Sequence, residues 1–131
     1  MRGNIFERVL LSGILGMLMS LPVLAEEDDL EKAKRLTERD CQQCHTFKKG
    51  EQHGQGPNLF GLIGRPAASA PGFVYSPGIR EALQGKVWTR ELLDQWLTDT
   101  IAVAPKAQMV YFQDDPKVRA RLIRYLESLK D

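Results

Sequence analysis

The sequence is poor in the side chains that most often carry chemistry. Its 131 residues include two cysteines and two histidines. Neither sign of charge is in excess, with 18 basic residues against 17 acidic. A basic surplus, the electrostatic footprint of nucleic-acid binding, is therefore missing, and no nucleic-acid partner is expected. No useful length of apolar–polar alternation occurs, nor any internal repeat, so the pattern argues against a sheet fold. The length allows one domain at most. Of four methionines, Met1, Met17 and Met19 precede residue 25, leaving Met109 alone in the remainder.

The first 25 residues read as a leader rather than as part of that domain. Arg2 and Arg8 form a basic start, residues 9–24 carry no charge, and Val23-Leu24-Ala25 offers small residues where a signal peptidase cuts. The acidic run Glu26-Glu27-Asp28-Asp29 follows at once. A signal peptide over 1–25, cleaved after Ala25, sends residues 26–131 to the periplasm. The rival is an uncleaved membrane anchor, since the apolar run is close to the lower limit for a span. Without Arg2, Glu7 and Arg8, residues 26–131 carry 16 charges of each sign. A domain that small is marginal unless something staples it.

What the sequence does have is Cys41-Gln42-Gln43-Cys44-His45. C-x-x-C-H is the spacing that attaches a c-type haem. Two thiols three positions apart on a helical turn each reach one vinyl group of a porphyrin edge, and the adjoining imidazole binds the iron from one face. These are the only two cysteines, so the motif uses them all. An exported Cys41–Cys44 disulfide is the plainer alternative.

Three helices follow from pattern. Leu30, Ala33, Leu36 and Thr37 recur at helical spacing, predicting a first helix from about residue 28 into the Cys41–Cys44 turn, with the acidic run favouring its N-terminus. Seven glycines and four prolines between residues 50 and 78 predict an irregular loop, with at most a helical turn at 59–63. A loop of that length suits wrapping a ligand. Thr89 is a candidate cap for a helix carrying Leu92, Leu93, Trp96 and Leu97, which Pro105 bars from continuing. Pro116 opens a last helix over 116–130, with Val118, Leu122, Ile123, Tyr125, Leu126 and Leu129 on one face. The fold class is all-α.

A low-spin haem needs a second ligand. His53 sits eight residues after His45 in the same loop and is badly placed to reach the other face. Met109 lies in the opposite half, on the loop after Pro105, and is the candidate, against its plain use as core filler.

With those residues in view, the chain resembles the mitochondrial-type class I cytochromes c. The motifs that carry the resemblance are Cys41 to His45, Gly56-Pro57-Asn58-Leu59-Phe60-Gly61-Leu62-Ile63-Gly64-Arg65, Gly72-Phe73-Val74-Tyr75, Trp88, Met109 and Leu122-Ile123-Arg124-Tyr125-Leu126. The resemblance implies three principal helices plus long loops around one covalently bound haem c, the first and last helices crossing. It implies Cys41 and Cys44 as thioether positions and His45 and Met109 as axial ligands. Pro57 would accept the His45 Nδ1–H bond. Arg65, Tyr75 and Trp88 would surround a buried propionate, Trp96 would lie beside the methionine, and His53 would be structural. A one-electron carrier rather than an enzyme is implied, docking weakly and transiently with redox proteins at the exposed haem edge.

Departures from the family pattern bear on partners. Asp40 stands in place of a lysine before the first cysteine, Ala107 in place of a hydroxyl residue and Gln108 in place of a lysine. Ile101 and Ala102 replace paired lysines near the haem edge, and Thr37 replaces an aromatic at the crossing of the terminal helices, which is expected to loosen that contact. The basic ring that steers mitochondrial members is thus largely missing. A monomer is expected, with peripheral membrane complexes among its partners. The alternatives are a subunit of a larger oxidoreductase complex and a haem enzyme or gas sensor with a labile Met109. A zinc site using Cys41, Cys44, His45 and His53 suffers from two adjacent donors. A thioredoxin-like reading lacks the βαβ pattern.

Overall fold

A computed structural model describes residues 22–131, with side chains described from Asp29 onward. The expected leader lies outside the described residues apart from 22–25. Among the described residues five helices occur in the order α1 (Pro22–Cys41), α2 (Pro77–Leu83), α3 (Arg90–Thr98), α4 (Thr100–Val103) and α5 (Pro116–Ser128). Among the described residues no strand forms, only isolated bridges at Pro66–Val87 and Asp99–Phe112. No described helix is long and apolar enough to cross a membrane.

The three long helices build the core. α1 packs chiefly on α5, and α5 on α3. α5 starts where expected: Asp115 accepts from the Lys117 N–H at 2.8 Å and Pro116 occupies the first turn. Its buried face carries Leu122, Ile123, Tyr125 and Leu126, and it stops at Ser128, two residues earlier than the pattern suggested. α3 is capped by Thr89, which accepts from the Leu92 N–H, and buries Leu93, Trp96 and Leu97. Leu59, Leu62 and Trp88 from the irregular segments join the same cluster.

At the α1 contact Thr37 is fully buried and its hydroxyl donates to Ala33 O at 2.9 Å, so the small polar side chain carries no unpaired donor. Across the same contact Arg124 Nη1 lies 3.8 Å from Asp29 Oδ2.

Other departures have local causes. α1 begins at Pro22, six residues early, because proline fits a first turn and no breaker follows it; the acidic run 26–29 then occupies the second turn. α2 interrupts the end of the glycine-rich loop, started by Ser76, whose hydroxyl accepts from the Ile79 N–H, and by Pro77 at its first position. α3 ends well before Pro105. Asp99 adopts extended backbone (φ −161°, ψ 103°) and its carboxylate accepts from the Ile101 and Ala102 N–H groups, opening α4.

Arg119 fastens α5 to its surroundings. Its Nε donates to Asp94 Oδ1 at 2.7 Å, and Nη1 donates to the carbonyls of Gln113 and Asp114 at 2.9 and 3.0 Å. The side chain is 11% exposed, so this charge is held by fixed acceptors rather than by water. It ties the chain just after Met109 to α3.

Candidate functional site

The site starts where α1 ends. Gln42 N–H donates to Glu38 O, and the Cys44 and His45 N–H groups both donate to Cys41 O at 3.1 and 2.9 Å. That turn places the two sulfur positions one helical turn apart. Both thiols are free and half-buried. Burial, then Asp40 and Cys44, push the Cys41 thiol up to about 12. A redox-active C-x-x-C depends on a lowered pKa, so Cys41 is set in the opposite direction from a thioredoxin-like nucleophile.

His45 is seated by the loop that follows it. Nδ1 lies 2.7 Å from Pro57 O. A carbonyl can only accept, so Nδ1 carries the proton and Nε2 keeps its lone pair. Burial lowers the imidazole pKa more than this bond raises it, holding the ring in the neutral form a metal requires. Gly56 lies flat against the ring: a Cβ there would fall under 3.0 Å from Cε1, Nδ1 and Nε2. The Gly56 N–H donates to Cys44 O at 2.7 Å, which draws the loop back onto the motif.

Asn58 organises that loop. It is buried; its amide nitrogen donates to Thr46 Oγ1 and Lys48 O, both at 2.9 Å, and its Oδ1 accepts from the Phe60 N–H at 2.8 Å. His53 accepts from the Asn58 N–H through Nδ1 and donates from Nε2 to Pro71 O, both at 2.9 Å. With both ring nitrogens on backbone, His53 is a structural bridge. Its ring meets Phe73 edge-on at 5.4 Å, and Phe73 meets Tyr75 at 4.8 Å.

Arg65 and Trp88 are brought together by backbone: the Trp88 N–H donates to Arg65 O at 3.0 Å, and the Gly64 N–H to Trp88 O at 2.8 Å. Trp88 and Trp96 are buried and pack edge-to-face at 5.8 Å. Tyr75 accepts from the Ala70 N–H through its hydroxyl at 3.1 Å. The Arg65 guanidinium donates to the carbonyls of Asn58 and Phe60, while its buried Nε has no protein partner. Burying a cationic donor without an acceptor is costly. An anionic group beside Arg65 removes that cost.

Met109 is half-buried and packs against the core cluster that contains Trp88 and Trp96. Beyond it, Tyr111 is held at its backbone by fully buried Thr100, which accepts from the Tyr111 N–H at 2.9 Å and whose N–H donates to Tyr111 O at 3.1 Å. The Tyr111 hydroxyl donates to Asp40 Oδ2 at 3.0 Å. Burial and the Asp40 carboxylate push that hydroxyl up to about 12.

These features fit a haem covalently held at Cys41 and Cys44: the spaced sulfurs, the neutral imidazole with one free nitrogen, and the unmatched Arg65 donor, which would suit a carboxylate. Among the described residues no group of three or more His, Cys, Asp or Glu is placed to hold a metal ion. Sequence reasoning missed the organising roles of Gly56, Asn58, Thr100 and Arg119 and the Asp40–Tyr111 pair. Gly56 and Asn58 did stand inside a recognised motif.

No family model matches the chain. Among curated proteins, cytochrome c of Chlamydomonas reinhardtii is 37% identical over 84% of this chain and 97% of its own length. Cytochrome c2 of Rhodopila globiformis is 36% identical over 81% of this chain and 98% of its own, and cytochrome c-550 of Novispirillum itersonii 36% over 70% and 91%. Likeness at that level over nearly the whole relative leaves one assignment: the chain belongs to the class I cytochromes c, all-α electron-transfer proteins, not enzymes, that carry a covalently bound haem c.

Proposed function

We propose that the chain is an exported one-electron carrier whose haem is held by Cys41 and Cys44 and ligated by His45 and Met109. When bound, the haem would supply an Fe(III)/Fe(II) couple, and ligation by a thioether and an imidazole would raise its potential. The observation that carries the reading is the His45–Pro57 contact, which leaves one neutral ring nitrogen free for the iron and fixes the ring's orientation.

The other residues set the environment. Pro57 raises the basicity of His45 through the Nδ1–H bond. Arg65, with Tyr75 and Trp88 near it, receives a buried propionate. Trp88 and Trp96 exclude water from the side where Met109 sits. With both ligands supplied by the chain, the protein has little to rearrange when an electron arrives.

Residues 1–25 act as a signal peptide that delivers the protein to the periplasm. Cleavage after Ala25 makes 26–29 the first turn of α1, the end of a helix at which acidic side chains are favoured. The mature chain works as a monomer. It meets redox partners, peripheral membrane complexes among them, through a small transient interface at the haem edge near Cys41 and Cys44.

The function is tested by stopped-flow electron transfer between the purified haem-loaded protein and a redox partner as ionic strength rises. With 16 charges of each sign in residues 26–131 and no paired lysines at 101–102, the rate should fall only mildly, less than about threefold between 0.05 and 0.5 M salt. A steep fall of an order of magnitude or more would contradict this.

A second reading, a subunit of a larger oxidoreductase complex, is favoured by one feature. Val110 and Phe112, flanking Tyr111, are 77% and 65% exposed, an apolar surface beside the Met109 loop. Co-purification with a large subunit would decide for it.

A further inference from the structure

Asp40 is an unexpected residue at its position. It sits in the last turn of α1, where the negative end of the helix dipole disfavours a carboxylate, and it directly precedes Cys41. Its side chain is nonetheless only 14% exposed, and both oxygens are engaged: Oδ1 accepts from Arg39 Nε at 2.6 Å and Oδ2 from the Tyr111 hydroxyl at 3.0 Å. Helix propensity does not explain this placement. The partner 71 positions away does.

Tyr111 is in turn a fixed point on the segment that carries Met109. Thr100 grips its backbone from both sides, and the preceding turn is closed by the Ala107 N–H donating to Ala104 O at 2.9 Å. Met109 hangs between these two anchors, two residues before Tyr111. The Tyr111 side chain then reaches across to the end of α1. One hydrogen bond thus joins the segment bearing the cysteines to the segment bearing the methionine.

We propose that the Tyr111–Asp40 pair is a latch that holds the Met109 loop against the end of α1 and limits how readily Met109 yields its place to an outside ligand. Both are positioning residues. The proposal rests on reading Met109 as an axial ligand. Opening the loop is a local event, and its frequency depends on the bonds broken in the open form. A hydrogen bond that exists only in the closed form, between two groups still partly open to water, lowers the open population by about five- to tenfold. Tyr111→Phe keeps the ring and removes the donor. Asp40→Ala removes the acceptor and suits a helix end.

The test uses the ferric, haem-loaded protein and imidazole as the outside ligand, followed by absorbance in stopped flow. Tyr111→Phe and Asp40→Ala should each speed imidazole binding about five- to tenfold. The double variant should be no faster than the faster single, because either change breaks the same bond. Residues that merely support the fold would give effects that multiply, and that result would overturn the latch. So would single variants that bind imidazole at the wild-type rate while Met109→Ala binds it faster. If Met109→Ala matched wild type in imidazole binding and in its oxidised spectrum, the ligand assignment would fall and the latch with it.

Discussion

Gly56→Ala is expected to unseat His45 and destabilise the protein by about 2–4 kcal/mol. The cause is contact rather than backbone freedom. An added Cβ would lie under 3.0 Å from three atoms of the imidazole, closer than real Cβ atoms pack. The ring cannot easily swing aside, because Nδ1 is fixed on Pro57 O at 2.7 Å and the side chain is largely out of water. Nor can Gly56 retreat, since its N–H donates to Cys44 O within the C-x-x-C-H motif. Either the Nδ1–H bond breaks or the loop lifts away from the motif. Denaturant unfolding of the haem-loaded variant measures the cost, and a loss below about 0.5 kcal/mol would show that the ring has room to move.

Asn58→Ala should cost a comparable amount, about 2–4 kcal/mol. The side chain joins several pieces of the loop, among them Thr46 through its hydroxyl, Lys48 and Glu51 through their carbonyls and Phe60 through its N–H. Alanine keeps the backbone bonds to His53 and Arg65 but takes the acceptor from the Phe60 N–H and one donor from each of the others. The position is 8% exposed, so water replaces the lost bonds poorly. Because Arg65 donates to Asn58 O and His53 accepts from its N–H, the loosening should spread to both. Amide hydrogen exchange at Phe60, together with the unfolding midpoint, checks this; unchanged protection at Phe60 would contradict it.

How far such effects could be foreseen depends on the range of the interaction. α3 and α5 were legible because apolar residues at helical spacing and a start signal, the Thr89 cap or Pro116 in the first turn, sit next to one another in sequence. The all-α class followed from the same periodicity. α2 and α4, of seven and four residues, are too short to show a period, and only Ser76-Pro77 and Asp99 marked their starts. Pro105 drew attention as the stop for α3, yet Asp99 stops it earlier by offering its carboxylate to a new helix.

The site divides in the same way. Cys41, Cys44 and His45 form a local motif, and Met109 was reached by counting methionines. Arg65, Trp88 and Trp96 came from resemblance; Arg65 and Trp88 are joined by backbone bonds between residues more than twenty positions apart, and Trp96 joins them through its ring contact with Trp88. Asp40 was noticed as a departure, but nothing near it in sequence points to Tyr111. A polar pair closed over that distance leaves no periodic trace. Gly56 is similar, since its reason is an imidazole eleven residues back.

The claim that organises all of this is ligation by His45 and Met109. The most direct measurement is an optical spectrum of the haem-loaded protein, oxidised and then reduced, with and without carbon monoxide, for wild type and Met109→Ala. The expected result is a weak far-red sulfur-to-iron band in the oxidised wild type, absent from the variant, and no change in the reduced wild type on adding carbon monoxide. A wild type without that band, or one that binds carbon monoxide readily, would contradict Met109 as a firm ligand and move the sensor or enzyme reading to the front.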